Sequence, residues 1–435
     1  MTTLTSQIDV FFETDTTGGD FFTLGDPVKG VLGNSVYRLA DVPPTDIADQ
    51  VYRVTIDRGR NDELAENDAG TLEAVLENSD GRFLPFELND PVLTDDAGET
   101  LTDDSGEALL TDSGVYGVDN ILPGKRIRVT VDSHVIYDGQ AEDWDYGYPE
   151  SGEITARMTA VDALGMLARV QFDEWTSAAG QTPGERINSI LDRPEVAWPA
   201  AKRSIDEGTT TLQADPVSWG SNVLNYMQLV AQSEVAGRLF ASREGSLGFR
   251  RRVPTGQPAA ILTDDGTGIP WFNMALTSST EQLWNRVSID RENGLQQTVK
   301  DDASIAKYGV RQLTVGGLLF DSDLQSLRLA NYLLRRFSEP KVRIRSVQIW
   351  LDALPAADRG KVLSLDLGDV VNVGWTPPGT VDSTSTDMFV EGIRHDFGRQ
   401  EPHIVTLRMS QLPIQLDDLF ILGSSQLGGT DQLGY

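Results

Sequence analysis

Adjacent pairs of acidic residues are the commonest feature of this sequence that could support catalysis. A glycosidase needs two carboxylates held at a fixed separation across a sugar cleft. The pairs formed by two aspartates are Asp95-Asp96, Asp103-Asp104, Asp264-Asp265, Asp301-Asp302 and Asp417-Asp418. Nothing in their spacing distinguishes one pair from the others, and nucleophile motifs of the G-x-S-x-G or H-E-x-x-H type are absent. We therefore predict no catalytic residues.

Trp144 lies among acids at positions 142, 143 and 145, an arrangement that could mimic a sugar-binding platform. The Asp143-Trp144 pair recurs, however, as Asp396-Phe397 in a second, similar stretch of the chain. A function has to be argued from a defined site, and a repeated pair points first to a shared structural strand. We therefore favour a structural role for Trp144.

Metal ligands are sparse in the sequence. The chain has no Cys and three His, namely His134, His395 and His403. Zinc sites use three or four protein ligands, so a pair of His does not form one alone. Residues 92–114 contain a tandem acidic repeat, DDAGE and then DDSGE, whose oxygens could bind calcium. The repeat lacks the ligand spacing of an EF-hand loop, so we favour a solvated acidic loop and predict no metal and no cofactor.

Basic residues form two clusters in this acidic chain. They are Arg335-Arg336 with Lys341, Arg343 and Arg345, and the separate run Arg250-Arg251-Arg252. One interpretation is a cationic surface that meets acidic neighbours, for example between protomers. The other is a set of local ion pairs within one subunit. The sequence does not decide between them.

The composition is that of a folded, acidic protein. The 435 residues include 36 Lys and Arg against 66 Asp and Glu, a net charge of −30, and 39% are hydrophobic. That apolar content is too high for a disordered chain, and the length predicts about two to four domains. The negative charge argues against DNA or an anionic membrane as a bound partner. No run approaches the ~18 apolar residues of a membrane span, and no signal peptide is visible.

Short alternating runs rich in Val, Ile, Thr and Tyr predict a mainly β fold. The predicted strands include 8–12, 51–56, 71–77, 126–131, 135–137, 154–160, 286–289, 343–350, 362–367, 370–373 and 404–409. A capping box from Thr182 to Glu185 predicts one helix. A second helix is predicted to open at Asp215-Pro216, and a third to run from 321 to 337 with Leu324 on its apolar side.

Two distant parts of the chain match in four places and in the same order. RVTIDR at 53–58 matches RVSIDR at 286–291, the strand after Gly124 matches the strand after Gly368, residues 137–139 match 390–392, and residues 154–158 match 405–409. We predict an internal duplication, with about five or six strands in each copy, enough for a small barrel or sandwich. Gly139 and Gly392 would allow a bulge or bend in mid-strand.

These patterns divide the chain into five ranges. They are an N-terminal strand and flexible arm (1–45), a first β-barrel domain (46–170) with the acidic repeat inserted at 90–117, an α+β middle domain (171–279), a second β-barrel domain (280–412) with the helix at 321–337, and a flexible C-terminal tail (413–435). The predicted fold class is mainly β, with two barrel or sandwich domains related by duplication and a smaller α+β domain.

The order of these motifs resembles the tail hub proteins of tailed bacteriophages, also called baseplate hub or minor tail proteins. The N-terminal motifs are YRVTIDRGR (52–60), AGTLEAVLEN (69–78), DGRFLP (80–85), LPGKRIRV (122–129) and YDGQAEDW (137–144). The C-terminal motifs are LLRRFSEP (333–340), LGDVVNV (367–373), VEGIRHDF (390–397) and HIVTLRM (403–409). The resemblance covers roughly residues 50–412 and includes no catalytic signature.

The resemblance implies a structural role in a virion, at the tip of the tail, after synthesis in the host cytoplasm. Hub proteins of this type form a homotrimer at the distal end of the tail tube and carry two barrel domains similar to the tube subunit. Two matched domains in one chain let a trimer imitate a ring of six. Such a ring caps the tube, encloses the end of the tape-measure protein, and opens to release that protein and the DNA.

The partners that the resemblance implies are proteins of the tail. They are two further copies of the chain, the distal tail protein or tail tube ring, the C-terminus of the tape-measure protein, and other tail-tip proteins or fibres. DNA would pass without specific binding, since an acidic lumen offers its phosphates no cationic contacts. The alternative interpretation of the charge is an ordinary soluble surface.

Two alternative functions stay open. One is a hexameric distal-tail protein or another baseplate component, and the other is a virion-borne carbohydrate-active enzyme. The insertion at 92–114 departs from the family pattern, as does the lack of a long C-terminal extension where some relatives carry a receptor-binding or cell-wall-degrading module. Both departures weigh against a receptor-binding role, and we predict that the chain is not an enzyme.

Overall fold

The computed structural model describes residues 6–11, 45–81, 83, 123–150, 152–250, 257–278, 280–380 and 382–412. Several predictions therefore lie outside the described residues: the arm at 12–44, the acidic repeat, Arg251, Arg252 and the tail at 413–435. The chain divides into two compact units. Among the described residues, the first unit takes those up to Asp57, Thr71–Asp162 and His395–Ile404. The second takes Arg58–Gly70, Ala163–Arg394 and those from Val405 onward. The five ranges predicted from the sequence stay a prediction.

The described chain is mostly β, as predicted. The strands are β1 (Ser6–Phe11), β2 (Thr45–Asp46), β3 (Val51–Gly59), β4 (Asp68–Glu77), β5 (Arg126–Val131), β6 (His134–Gly147), β7 (Thr155–Val161), β8 (Trp175–Ser177), β9 (Arg203–Ile205), β10 (Asp215–Val217), β11 (Arg238–Ala241), β12 (Leu247–Arg250), β13 (Ala260–Thr263), β14 (Ile269–Pro270), β15 (Asn273–Ser278), β16 (Arg286–Arg291), β17 (Gln297–Lys300), β18 (Gln312–Leu318), β19 (Val342–Trp350), β20 (Val370–Trp375), β21 (Thr384–Gly398) and β22 (Ile404–Gln411).

Six short or medium α-helices accompany these strands in the described part. They are α1 (Ala163–Leu167), α2 (Pro183–Leu191), α3 (Val223–Gln232), α4 (Asp302–Tyr308), α5 (Asp323–Phe337) and α6 (Ala356–Ser364). None of these described helices has both the length and the apolar composition that crossing a bilayer demands.

The first unit is built on one sheet, in the order β3-β4-β7-β6-β5-β1-β2. Side chains alternate between the two faces of a strand, and the sequence places apolar residues on one face. Leu72, Ala74 and Leu76 of β4 are buried, as are Ala156 and Met158 of β7. This alternation is the signal from which the strands were predicted.

Gly139 has a different role from the predicted mid-strand bend. The pairing of β6 with β7 shifts between Ala141 and Asp143, beyond the glycine. A Cβ on Gly139 would lie 2.4 Å from the carbonyl oxygen of Val161 and 2.7 Å from the hydroxyl of Tyr137. Glycine is therefore needed because the backbone of β7 and a tyrosine ring approach the strand closely.

The second unit contains three groups of elements. Helices α1–α3 pack with strands β8–β12 around one apolar core, which extends beyond the range 171–279 because α1 and Leu319 also belong to it. A three-stranded sheet, β17-β16-β18, packs against α5 around another core. The third group is a sheet in which β15, β19, β22, β21 and β20 are neighbours in that order, with β13 beyond β20.

The two units share one pattern of strand connection. Five strands in each, β3 to β7 in the first and β15, β19, β20, β21 and β22 in the second, follow the sheet order first-second-fifth-fourth-third. Three of the four predicted sequence matches relate strands that hold the same position in the two orders: β5 and β20, β6 and β21, and β7 and β22. The glycines before β5 and β20, Gly124 and Gly368, even share left-handed φ angles of 91° and 95°.

The fourth match does not join equivalent strands. RVSIDR forms β16, which pairs antiparallel with β17 and parallel with β18 in the separate small sheet. The place that β3 holds in the first sheet belongs to β15 in the second. The expected closed barrels are also not found, because no sheet closes on itself in the part of the chain that the structure describes.

The helix predictions were correct in part. α2 has the predicted capping box, in which Thr182 and Glu185 each bind the other's backbone N–H. The predicted helix at Asp215-Pro216 is wrong, because these residues form β10, and α3 begins only after its N-cap, Asn222. Gly220, with a φ of 80°, separates the two elements.

Two further predictions were wrong for reasons of burial. The predicted strand 362–367 is not a strand: its first half ends α6, where Arg359, Val362 and Leu363 are buried at helical spacing, and its second half is a loop. In α5, Leu324 is exposed, and the buried stripe instead runs through Leu329, Leu333 and neighbouring residues that contact the small sheet. Apolar residues on two sides of a helix leave the choice of buried face to tertiary packing.

His395 and His403 face each other in the first unit. Nδ1 of His395 lies 3.0 Å from Nε2 of His403, and both rings are buried. Burial lowers the pKa of His403 to about 4, although Asp132 and Asp396 act to raise it. Two ring nitrogens at this distance share one proton, so the pair is compatible with neutral rings.

This pair predicts a loss of stability in mild acid. In the unfolded chain His403 has its ordinary pKa near 6.5, so the unfolded state binds more protons as the pH falls from 6.5 towards 4. Over that interval the folded first unit should lose roughly 3 kcal/mol. Thermal unfolding at pH 7, 5.5 and 4 measures the loss, and His403→Gln should flatten it. His134→Gln is the control, and an equal slope in wild type and His403→Gln would contradict the assignment.

Candidate interaction site

The acidic pairs within the described residues hold backbone turns and caps. Asp264 accepts from the backbone N–H of Thr376 at 2.9 Å, and Asp265 accepts from the N–H and hydroxyl of Thr267 at 2.9 and 2.6 Å. The hydrogen bonds from Thr267 lower the pKa of Asp265. Both carboxylates therefore hold local backbone segments in place.

The other residues considered for chemistry also have structural partners. Asp301 caps α4 by accepting from the N–H of Ser304 at 3.0 Å, and Asp302 pairs with Lys300 at 2.9 Å. The Trp144 ring stacks on Phe83 with their centroids 6.0 Å apart. Among the described residues, no group of three or more His, Asp or Glu is arranged to hold a metal ion.

A buried charged cluster is centred on Glu391, in the middle of β21. Arg60 donates from Nε to its Oε2 at 2.8 Å, and Arg238 donates to both oxygens at 2.7 and 3.0 Å. The hydroxyl of Ser410 also binds Oε1. The Arg238 guanidinium lies 3.5 Å from the centroid of the Phe389 ring. Four segments of the second unit therefore meet at one buried carboxylate.

Electrostatics keep this carboxylate ionised. Burial alone would raise the pKa of Glu391, but the charges of Arg238 and Arg60, with hydrogen bonds from Arg60 and Ser410, outweigh it and lower the pKa to about 2. A buried charge is tolerated only when it is paired and hydrogen-bonded. Gly392 completes the arrangement, because a Cβ there would lie 2.4 Å from the guanidinium of Arg408.

Asp138 holds the corresponding position in the first unit's sheet. It lies on β6, directly before Gly139, and it binds two arginines of β5. Arg126 donates to its two oxygens at 3.0 and 2.5 Å, and Arg128 donates to Oδ2 at 3.1 and 2.9 Å. An acid-glycine pair on the fourth strand of the order thus clamps two arginines in each unit.

The basic cluster predicted from the sequence lies partly in a cleft of about 90 Å³ in the second unit. Arg336 donates to Glu63 at 2.9 and 2.8 Å and to the carbonyl oxygen of Leu412 at 2.7 Å. Burial raises the pKa of the Tyr332 phenol, which donates to Glu63 at 3.3 Å. For Arg336, the interpretation as a local ion pair is correct.

The remaining basic residues at this cleft behave differently. Arg343 binds the side chain of Gln282, whereas Lys341 and Arg345 are exposed and form no ion pair with a described residue. Arg345 is the extra residue where the pairing of β19 with β15 shifts. The structure therefore divides the predicted cluster into two internally bonded residues, Arg336 and Arg343, and three exposed ones, Arg335, Lys341 and Arg345. In the second cluster, Arg250 binds Ser204 at 2.7 and 2.9 Å within the unit.

The cleft adjoins an open sheet edge. β15 pairs only with β19 among the described strands, so its outer backbone groups have no ladder partner. Apolar side chains beside this edge are exposed: Leu276 at 47%, Val342 at 62%, and Phe272 and Trp350, whose ring centroids are 5.9 Å apart. We call β15 and these side chains, with Lys341 and Arg345, the cationic edge. Exposed apolar residues next to an open edge are typical of an interaction surface.

Sequence reasoning missed the arginines that bind Glu391 and the acid that binds Arg336. Arg60 and Arg238 lie 331 and 153 residues from Glu391, and Glu63 lies 273 residues from Arg336. One signal was available for Glu391 itself, since its match with Asp138 identified an acid next to a strand glycine in both copies.

Glu391→Gln should destabilise the second unit strongly. The substitution leaves Arg60 and Arg238 buried beside a neutral amide, and breaking a buried pair from one side costs about 3–5 kcal/mol. Calorimetric unfolding of the full chain measures the effect. Asp138→Asn is the matched variant and should cost less, because the side chains of Arg126 and Arg128 are 35% and 32% exposed and water can solvate them.

Glu73→Gln is the control for this comparison. Its carboxylate pairs with Arg157 at 2.7 Å, with both side chains largely exposed, and exposed pairs contribute little to stability. Equal destabilisation by the substitutions at 391, 138 and 73 would contradict the assigned role of the buried cluster.

The fold is shared with two known tail proteins, one of them from a prophage. The tail protein from Neisseria meningitidis MC58 aligns over 94% of this chain and 96% of its own, with a TM-score of 0.58 and 15% identity. The 43 kDa tail protein of prophage MuSo2 from Shewanella oneidensis aligns over 94% and 98%, with a TM-score of 0.55 and 13% identity. No protein-family model and no curated protein sequence matches the chain.

These similarities span nearly the whole of each chain. The chain therefore has the fold of these tail proteins, and the resemblance to phage tail proteins that its motifs predict is confirmed at the level of the fold.

Proposed function

We propose that this chain is a structural hub at the distal tip of a phage tail. Three copies form a pseudo-six-fold ring that caps the tail tube, holds the C-terminus of the tape-measure protein, and releases that protein and the DNA. The chain acts by assembly and not by catalysis. It is made in the host cytoplasm and becomes part of the virion, where it contacts the distal tail protein or tube ring.

The observation that carries this proposal is the repeated order of strands. Each unit contains five strands in the order first-second-fifth-fourth-third, and in each the fourth strand carries an acid-glycine pair that binds two arginines. Two similar sheets in one chain offer six similar sheets in a trimer, and a three-fold ring can then match a six-fold tube. The fold shared with tail proteins supports the same function.

The charge of the chain is compatible with a passage for DNA. At −30 overall, a ring of three copies repels phosphates, and phosphate contacts are the main source of non-specific affinity for DNA. DNA would then move through the ring without being retained by it.

The mass of the purified full-length chain in solution tests the proposal. Light scattering after size exclusion should give three copies of the 47.6 kDa chain over a wide range of protein concentrations. Six copies would favour the alternative of a hexameric distal-tail or other baseplate component. A monomer at every concentration would contradict a hub.

Incubation with purified host cell walls tests the enzymatic alternative. We expect no release of reducing sugar, since the described carboxylate pairs bind backbone, threonine or lysine partners. Release of sugar that increases with protein concentration would support a carbohydrate-active enzyme instead.

A further inference from the structure

The cationic edge has the properties of a surface that receives another protein. Its edge strand, β15, contains no charged residue and no proline, the two devices that most often block pairing at a sheet edge. The apolar side chains beside it are exposed, and the cations at 341 and 345 have no acidic partner among the described residues. A sheet edge without charged residues or proline, flanked by cations that form no ion pair with a described residue, fits a strand or loop that carries negative charge.

The first unit offers a surface of opposite charge. Residues 143–147 of β6 extend past the part that pairs with β5, which ends at Gln140, so among the described strands they pair only with β7. Asp143 and Asp145 are exposed on this extension. Arg157 lies opposite Asp145 on β7 and is bound to Glu73 at 2.7 Å. This patch, which we call the acidic extension, therefore has three acids for one arginine.

We infer that the cationic edge of one copy binds the acidic extension of the next copy. Lys341 and Arg345 then meet Asp143 and Asp145, while the outer edge of β15 lies along a strand segment that, among the described strands, pairs only with β7. The two surfaces differ, so the contact is head-to-tail, and repetition of such a contact closes a ring when the rotation fits. This inference rests on the proposed function and identifies the surfaces that hold the ring together.

Charge reversal in the full-length chain tests the inference. Lys341→Glu with Arg345→Glu should weaken assembly at least about tenfold, measured as the concentration at half-assembly in sedimentation velocity, because like charges would then face each other. Asp143→Lys with Asp145→Lys should weaken it similarly. A chain that carries all four substitutions should regain most of the assembly of the wild type, because the charges are opposite again.

A variant of equal charge controls for net charge. Arg286→Glu with Arg328→Glu changes the charge by the same amount at exposed arginines that form no ion pair with a described residue, and it should assemble like the wild type. Circular dichroism should give equal melting temperatures for every variant, because all the substituted side chains are exposed. Wild-type assembly should also weaken as salt is raised.

The possible failures are distinguishable. If the wild type forms a trimer and the Lys341 and Arg345 substitutions leave it unchanged, the cationic edge is not the interface, while the proposed hub survives. If both double variants weaken assembly but the quadruple variant is no better than either, the two surfaces do not meet. A wild type that never assembles overturns the inference together with the proposed function.

Discussion

The second unit depends on one buried carboxylate. Within the second unit, Glu391 joins the segment Arg58–Gly70 through Arg60, the α+β group through Arg238, and β22 through Ser410. In a low dielectric such a charge is stable only while its partners stay in place, so the cluster holds these segments in one arrangement. The residues after Ser410, Gln411 and Leu412, offer their carbonyl oxygens to Arg336. The buried cluster therefore also sets the geometry of the cleft.

The same structural solution occurs in the first unit on a smaller scale. Asp138 and Glu391 lie on corresponding strands, each is followed by a glycine that a neighbouring group approaches closely, and each binds two arginines. The difference lies in solvent access, because the arginines around Asp138 are about one-third exposed. The carboxylate of Glu391 is 1% exposed and that of Asp138 is 7% exposed. The Glu391 cluster therefore connects segments inside the core of the second unit, whereas the Asp138 cluster connects two strands close to the surface of the first unit.

The sequence predicted correctly those strands and helix ends that are determined by residues close to one another in the chain. Alternation identified β4, β5 and β7, and Thr182 with Glu185 identified the start of α2, because strand faces and helix caps are determined by residues close in sequence. The errors arose where contacts with residues distant in the sequence determine which sheet a strand joins or which face of a helix is buried. RVSIDR alternates like a strand in either sheet, and only its pairing with β18 places it in the small one. The buried face of α5 is the one that packs on the small sheet, whose central strand, β16, is distant in sequence from the helix.

The candidate site was predictable by composition but not by geometry. The sequence identified the cluster around Arg336 and Arg345. It could not show which of these arginines is buried in an ion pair and which is exposed. The separation of their roles required the position of Glu63 and the shift in pairing at Arg345. Likewise, Arg238 carries no signal that would connect it to Glu391, because the contact spans 153 residues and two different groups of elements.

These observations lead to one account, in which similar sheets in a single chain allow a trimer to present six similar faces to a tail tube. Electron cryo-microscopy of the purified chain, reconstructed without imposed symmetry, tests it most directly. The account predicts a closed ring with three-fold symmetry and six sheets of matching connectivity around an open channel. A particle in which the two sheets of each chain lie at different radii, or in which no ring forms, would contradict it.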